Sequence, residues 1–159
     1  MGIEQLKEVT DEFLIALERL MPQLTTFSPI PSRQLIEHAL ANPGTSLWIS
    51  RDDHHSICGM LTLVIYSSPT GKHAWIEDVV VDENNRGQGH GKKMTQAALD
   101  HAHTQGVKAV SLTSRPNRIA ANHLYQKMGF ELLETNTYRY HFPASSAKDK
   151  PDDQDFKKL

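Results

Sequence analysis

The alternation and clustering of apolar residues divide the chain into predicted strands and helices. β-Branched residues crowd residues 75–81, a pattern typical of a strand that is buried on both faces. Further apolar runs predict strands at residues 3–9, 47–50, 57–66, 109–113, 130–133 and 137–142. The last two are predicted to pair, and Tyr138, Tyr140 and Phe142 alternate with polar residues in the second of them.

Apolar residues at helical spacing predict four helices. Thr10 and Ser32 can cap the first two and Asn117 the fourth, while Gly106 ends the third and Gly129 the fourth. The apolar stripe of the first helix is Phe13, Leu17, Leu20, Met21 and Leu24, and that of the second is Leu35, Ile36, Ala39 and Leu40. The stripe of the third helix is Met94, Ala97, Ala98 and Ala102, and that of the fourth is Ala120, Leu124 and Met128. In chain order, these elements predict one α/β domain (an α+β arrangement) with a single mixed sheet flanked by helices.

Length and composition fit one globular domain over residues 1–142. A chain of 159 residues, 38% hydrophobic and 23% charged, is ordinary for such a domain. From residue 143 onward Ser, Lys, Asp and Pro dominate, which predicts a disordered tail over residues 143–159. The formal charge of −2 gives no reason to expect nucleic acid as a partner. No apolar run reaches the roughly 20 residues of a membrane span, and the single cysteine, Cys58, fits a cytoplasmic location.

The sequence that follows residues 75–81 is the most informative about chemistry. Gly87, Gly89 and Gly91 let a ligand approach the backbone N–H groups closely, immediately before a predicted helix. The unpaired N–H groups and the positive dipole end of a helix favour a bound phosphate. A P-loop is excluded because Lys93, without a hydroxyl, follows Lys92. The glycine spacing also departs from the dinucleotide fingerprint.

This loop resembles the acetyl-CoA loop of the GNAT family of N-acetyltransferases, and in this chain it reads Arg86-x-x-Gly89-x-Gly91. A second stretch, about 30 residues further on, is similar to another signature of that family: Asn117-x-x-Ala120-x-x-x-Leu124-Tyr125-x-x-x-Gly129-Phe130. The resemblance extends over residues 3–142. It implies the family's fold, a central mixed and mostly antiparallel sheet flanked by helices, with acetyl-CoA as co-substrate and no metal.

The resemblance also implies which residues bind acetyl-CoA. The family binds the CoA pyrophosphate on the N–H groups of its glycine loop and faces the pantetheine with the backbone of its central strand. Asn117 matches the family's CoA-contacting asparagine. Carried onto this chain, the binding residues are Val79, Val80, Val81, Arg86, Gly87, Gln88, Gly89, His90, Gly91, Lys92, Asn117 and Tyr125.

Two residues stand at the family's catalytic positions. Tyr125 matches the general acid, and a phenol of pKa ~10 is a competent proton donor to a CoA thiolate whose thiol has a pKa of ~8.5. Glu77 resembles the usual base, which helps to deprotonate an amine of pKa ~10.4. Asp78 stays an alternative base. It points to the opposite face of a regular strand, although a bulge would change that.

Together these residues predict an N-acetyltransferase that moves the acetyl group of acetyl-CoA directly, in a ternary complex, to a primary amine of a small molecule or peptide. No convincing covalent nucleophile favours a two-step route. Two alternatives stay open: a non-catalytic acyl-CoA-binding or regulatory module, and an amino-sugar phosphate N-acetyltransferase. Residues 76–81 resemble the corresponding strand of the second kind of enzyme. Residues 24–32 and the last strand pair would select the acceptor, and an exposed final strand would permit a homodimer.

Overall fold

The computed structural model describes residues 1–25 and 29–142, and it follows the predicted order of elements through the fourth helix. The strands are β1 (Gly2–Leu6), β2 (Thr45–Arg51), β3 (Ile57–Ser68), β4 (Gly71–Val81) and β5 (Val110–Leu112). The helices are α1 (Asp11–Leu24), α2 (Arg33–Ala41), α3 (His90–Thr104) and α4 (Ile119–Lys127), and a 3-10 turn spans Glu83–Asn85. The tail predicted at residues 143–159 lies outside the described residues.

The five strands form one mixed sheet in the order β1-β2-β3-β4-β5. The neighbours from β1 to β4 are antiparallel, and β5 pairs in parallel with β4. A parallel pair needs a crossover connection, which α3 supplies. The predicted sheet, mixed and mostly antiparallel, is therefore confirmed, and β4 lies at the junction of its antiparallel and parallel parts.

Helices cover both faces of the sheet, and each face has its own apolar cluster. On one face α1 and α2 pack over a cluster that includes Phe13 and Ile49. On the other face Met94 of α3 packs with Leu61 and Ile76. Because successive side chains of a strand point to opposite faces, β3 and β4 contribute to both clusters. Burial of both faces explains why these strands are almost continuously apolar in sequence.

The predicted caps of the first two helices are confirmed. The Oγ1 atom of Thr10 accepts a hydrogen bond from the N–H of Phe13 at 3.2 Å. In the same way the Oγ atom of Ser32 accepts from the N–H of Leu35 at 3.2 Å. Each hydroxyl satisfies one of the N–H groups that a helix start leaves unpaired.

The predicted cap of the last helix is wrong. α4 begins at Ile119 with Arg118 as its N-cap residue, and no side chain caps it. A turn closes just before the helix, because the N–H of Arg118 donates to the carbonyl of Arg115 at 3.0 Å. Asn117 lies inside this turn, one residue before the N-cap position, and therefore does not cap α4.

The predicted final strand pair is also wrong. Residues 131–142 are exposed throughout and form no strand. A two-stranded hairpin is at best marginally stable in water unless it joins a larger sheet. The nearest edge strand in sequence, β5, has only three residues and pairs with β4 alone among the described strands. The large apolar side chains of this segment are left in solvent, namely Leu132, Leu133, Tyr138, Tyr140 and Phe142.

Candidate active site

Residues of β4 and α4 line one open cleft. β4 pairs with β5 only from Ala74 to Ile76, so residues 77–81 have no ladder partner on that side. Parts of α1, α2 and the segment between β4 and α3 complete the lining of the cleft, whose volume is about 2420 Å³. A site for one small ligand has roughly 300–1000 Å³. The cleft is therefore larger than a site for one small ligand.

A β-bulge in β4 forms part of the cleft wall. Val80 pairs with Met60 and Glu77 pairs with Thr62, so residues 78 and 79 face a single residue of β3. Asp78 has a φ of +53°, a conformation that is uncommon outside glycine and that Asp tolerates better than most residues. The bulge that the sequence left open is therefore present, and the regular alternation of a strand does not apply to Asp78.

Glu77 and Asp78 bring two adjacent carboxylates to the cleft. Partial burial against the cleft wall raises the pKa of Glu77, the charge of Asp78 raises it further, and a hydrogen bond from Trp75 acts in the opposite direction. Burial also raises the pKa of Asp78. A carboxylate with a raised pKa is closer to the range in which a general base works best at neutral pH.

Tyr125 lines the cleft from α4. Its ring is 8% exposed and packs edge-to-face on Phe130, with ring centroids 5.7 Å apart. The end of α4 places Phe130 there, because the N–H of Phe130 donates to the carbonyl of Tyr125 at 3.0 Å, with Gly129 in the terminating position that the sequence predicted. Burial raises the pKa of Tyr125, and the charge of Arg118 opposes this shift. The phenol is therefore protonated at neutral pH.

The glycine loop, residues 86–91, connects the 3-10 turn after β4 to α3. Gly87 and Gly89 have φ values of +76° and +89°, where residues with a Cβ are strained. Gly89 is the N-cap residue of α3 and supplies no side-chain hydrogen bond. The N–H of Lys93 donates to the carbonyl of Gly89 at 3.0 Å, so the N–H groups of residues 90–92 lie before the first intrahelical bond. A helix start of this kind favours an anion.

Arg86 braces the start of the glycine loop. Its Nε donates to the carbonyl of Val81 at 3.1 Å, and its Nη2 donates to Oε1 of Gln23 on α1 at 3.1 Å. The same oxygen of Gln23 accepts from the N–H of Glu83 at 2.9 Å. The sequence predicted Arg86 as a ligand contact, and the structure adds that it ties the loop to α1 and β4.

Asp82 fixes the turn between β4 and the glycine loop. It is buried, forms an ion pair with Arg19 of α1, and accepts from the N–H of Asn84 at 3.0 Å. Burial acts to raise the pKa of Asp82, but the hydrogen bonds from Asn84 and Arg19 outweigh it and lower the pKa. Sequence reasoning missed Arg19, because its partner lies 63 residues away. Asp82 could have been found, because Asp-x-Asn after a strand is a turn signal.

The other predicted cofactor-binding residues differ in their positions. Lys92 and Asn117 line the cleft. The side chains at residues 79 and 81 pack with the α3 cluster and Val80 packs with the α1 cluster, which leaves the strand backbone for the predicted role. Gln88 is exposed and does not belong to the cleft lining.

His90 belongs to the glycine loop but its side chain is buried. Its Nδ1 atom lies 2.6 Å from Oγ of Ser50. Burial lowers the pKa of His90, and the amino group of Met1 acts in the same direction. The imidazole is therefore neutral at pH 7. The sequence predicted His90 only as one residue of the loop that binds the cofactor, and it gave no indication of the partner on β2.

Residues 1–25 and 29–142 contain neither a cluster of metal ligands nor a helix that could cross a membrane. No group of three His, Cys, Asp or Glu side chains in these residues is arranged to hold a metal ion. None of the helices there combines the length and the apolar character that crossing a membrane requires. His101 of α3 packs edge-to-face on Trp48, with ring centroids 5.7 Å apart.

Comparison with known proteins adds a family and a set of related folds. A family model described as the Acetyltransferase (GNAT) family matches residues 10–130. The uncharacterized N-acetyltransferase YhdJ of Bacillus subtilis (strain 168) is 38% identical over 78 residues, which cover 48% of this chain and 54% of that protein. The chain therefore spans about half the length of the first curated relatives that it matches.

Two solved structures are similar in fold. The aminoglycoside acetyltransferase meta-AAC0020, from an uncultured soil metagenomic sample, has a TM-score of 0.76 at 23% identity, and the match covers 89% of this chain and 95% of that one. Glucosamine-6-phosphate N-acetyltransferase from Arabidopsis thaliana has a TM-score of 0.73 at 21% identity, and the match covers 88% of this chain and 99% of that one. At these identities the likeness concerns the fold.

Proposed function

The chain belongs to the GNAT family of acetyltransferases, and on this basis we propose that it transfers the acetyl group of acetyl-CoA to a primary amine. The observation that carries the proposal is the glycine loop at the start of α3, whose residues line the same cleft as the bulge of β4. A helix start with unpaired N–H groups suits a phosphate. The adjacent bulge supplies carboxylates for acid–base chemistry.

In this proposal the chain binds acetyl-CoA along two elements. The N–H groups of residues 87–92 bind the pyrophosphate, with Arg86 and Lys92 adding positive charge at the edge of the loop. The backbone of residues 79–81, which has no neighbour on the β5 side, contacts the pantetheine and stabilises the oxyanion. Asn117, which precedes α4, contacts the CoA as well.

Glu77 and Tyr125 are the proposed acid–base pair. Glu77 accepts a proton from the substrate ammonium, and the free amine attacks the thioester carbonyl. The C–N bond forms, the C–S bond breaks, and the hydroxyl of Tyr125 donates its proton to the leaving thiolate. The nitrogen of the new amide then releases its extra proton, which restores the phenol of Tyr125. Because Cys58 is buried, no thiol of this chain is available to carry the acetyl group, which supports direct transfer in a ternary complex.

The proposed acceptor is an amine of a small molecule or peptide. The related structures are named for an aminoglycoside and for glucosamine-6-phosphate, so one fold serves different acceptors and the choice depends on the cleft. The carboxylates of Glu77 and Asp78 favour a cationic amine at this wall. The presence of both Glu77 and Tyr125 in the cleft supports an enzyme over a non-catalytic acyl-CoA-binding module.

A calorimetric titration of the purified chain with acetyl-CoA, with ATP and NAD as controls, tests the proposal first. We expect micromolar binding of acetyl-CoA alone, and then release of free CoA thiol in the presence of a suitable primary amine. Binding without turnover across a broad amine panel would support the non-catalytic module. Absence of binding would refute the proposed function.

A further inference from the structure

A buried polar cluster lies beneath the first turn of α3. It consists of His90 at the start of α3, Ser50 of β2 and Cys58 of β3, whose exposed fractions are 2%, 0% and 1%. The Nδ1 atom of His90 lies 2.6 Å from Oγ of Ser50 and 3.4 Å from Sγ of Cys58. The thiol of Cys58 donates to the carbonyl of Ser50 at 3.4 Å. The proposed reaction uses none of these three side chains.

The imidazole is not required to fill space. Later positions on the buried face of α3 are occupied by apolar residues such as Met94 and Ala98. A buried polar group destabilises the fold unless it is hydrogen-bonded, and a leucine would fill a similar volume without that requirement. The pairing of His90 with Ser50 therefore indicates a role for the hydrogen bond itself.

The part of the glycine loop that carries the N–H donors has few anchors. Gly87 and Gly89 have no side chain, and α3 starts without a side-chain cap. The exposed Gln88 has one long hydrogen bond, from its Nε2 to the carbonyl of Asn84 at 3.4 Å, which lies within the same connection and does not reach the sheet. Glycines increase the conformational freedom that ligand binding has to remove. Arg86 braces the start of the loop. At its other end, the buried side chain of His90 contacts Ser50 of β2 and Cys58 of β3 and so ties the loop to the sheet.

We propose that His90 is a positioning residue for acetyl-CoA. The hydrogen bond between its Nδ1 and Ser50 ties the first turn of α3 to β2 and fixes the direction of the N–H groups at residues 90–92. The inference rests on the proposed function, because it requires the loop to bind the pyrophosphate. A loop that is already in its binding conformation loses less entropy when the ligand binds. Breaking the bond therefore weakens acetyl-CoA binding and leaves the chemical step intact.

Four variants test the proposal. His90→Leu fills the volume without the hydrogen bond, and Ser50→Ala removes the partner oxygen. His90→Asn keeps a polar atom at the position of Nδ1. Thr95→Val is the matched control, because the hydroxyl of Thr95 is also fully buried on α3 but has no hydrogen-bond partner among the described residues.

The expected results separate binding from chemistry. His90→Leu and Ser50→Ala each raise the Kd and KM for acetyl-CoA about 3- to 10-fold, the equivalent of one lost hydrogen bond. The kcat at saturating acetyl-CoA stays at the wild-type value. The double variant has no larger effect than either single one, because both remove the same bond. His90→Asn restores the Kd, and Thr95→Val leaves it unchanged.

A Kd that stays at the wild-type value in both His90→Leu and Ser50→Ala overturns the inference, even if the Tm falls. Ser50→Ala removes a single oxygen and decides the question if His90→Leu fails to fold. If the wild-type chain does not bind acetyl-CoA, the proposed function fails separately. Hydrogen exchange at the amides of residues 93 and 94, which close the first turn of α3, then tests the anchor without ligand. Exchange is expected to be faster in Ser50→Ala than in wild type or Thr95→Val, and equal rates overturn the inference.

Discussion

The ring of Tyr125 is buried, and the substitution Tyr125→Phe removes only its hydroxyl group. The phenylalanine ring keeps the packing on Phe130, while the proton donor is lost. We expect kcat to fall about 10²- to 10⁴-fold, the usual contribution of general acid–base catalysis, with little change in the Kd for acetyl-CoA. Steady-state kinetics and calorimetry measure the two quantities. Equal losses in both would make Tyr125 a structural residue.

The charge of Asp78 should set the pH at which Glu77 loses activity as a base. A base must be deprotonated, so kcat/KM falls as the pH drops through the pKa of Glu77. Because the charge of Asp78 raises that pKa, Asp78→Asn should lower it and move the acid limb of the pH profile to lower pH. Asn suits the test because it tolerates the positive φ at this position.

Glu77→Gln is the companion variant in the same pH series. It should lose the acid limb and retain activity that rises with pH, because more of the amine substrate is then unprotonated. An acid limb that stays in place in Asp78→Asn would contradict the coupling of the two carboxylates. A larger loss of activity in Asp78→Asn than in Glu77→Gln would assign the base to Asp78.

At the scale of residues, the sequence predicted what belongs to a local motif. Glu77, Tyr125 and the glycines of the loop line one cleft, and their roles in it stay predictions. The direction of a side chain depends on distant partners, which local motifs do not contain. His90 sits in the predicted loop, yet its ring faces Ser50, 40 residues earlier in the chain. Asp78 leaves the strand alternation because of the register of β4 against β3.

At the scale of elements, the glycine loop can be tested with two matched substitutions at the opposite ends of α3. Gly87 and Gly106 share a φ of +76°, and each has open space where a Cβ would stand. Alanine in this left-handed conformation costs about 1–2 kcal/mol, so both variants should lose similar stability in urea unfolding. Only Gly87→Ala should weaken acetyl-CoA binding in calorimetry, since only this residue belongs to the loop.

Two outcomes would count against the loop as the binding element. If Gly106→Ala weakens binding as much as Gly87→Ala, the loss reflects stability rather than loop geometry. If Gly87→Ala is destabilised but binds acetyl-CoA with the wild-type Kd, the N–H groups near residue 87 do not contact the ligand.

Elements with a periodicity of their own could be predicted, and elements that depend on a partner could not. The hydroxyl caps of α1 and α2 and the glycine at the end of α4 are local signals, and the structure confirms them. The start of α4 depends on a preceding turn that the cap rule does not consider. For residues 130–142, the alternation of apolar and polar residues indicates a preference for a β-strand. It does not specify which edge strand of the sheet this segment would pair with.

At the scale of the whole molecule, the site joins segments from both halves of the chain. Arg19 and Gln23 of α1 hold the turn and loop that follow β4. Nη2 of Arg118, at the start of α4, donates to the carbonyl of Leu24 at the end of α1 at 2.7 Å. α1 thus contacts both the binding loop and the helix that carries Tyr125. No local pattern in the sequence contains these connections, because each spans 60 residues or more.

The exposed apolar side chains of residues 131–142 lead to a prediction about assembly. Tyr138, Tyr140 and Phe142 are 88%, 77% and 86% exposed, and they alternate along the sequence with polar residues. Contiguous apolar surface of this kind is unusual on a monomer and typical of an interface. We propose that the segment packs against its counterpart in a second copy, because a two-fold dimer brings identical surfaces together.

Sedimentation velocity on two triple variants tests this dimer. Replacing Tyr138, Tyr140 and Phe142 with serine removes these apolar side chains and should convert a dimer into a monomer. Replacing the intervening polar residues, Thr137, Arg139 and His141, with serine changes as many positions and should leave the dimer intact. A wild-type chain that sediments as a monomer at the highest attainable concentration would contradict the proposal. Dissociation in both variants would show that the apolar side chains are not what holds the two copies together.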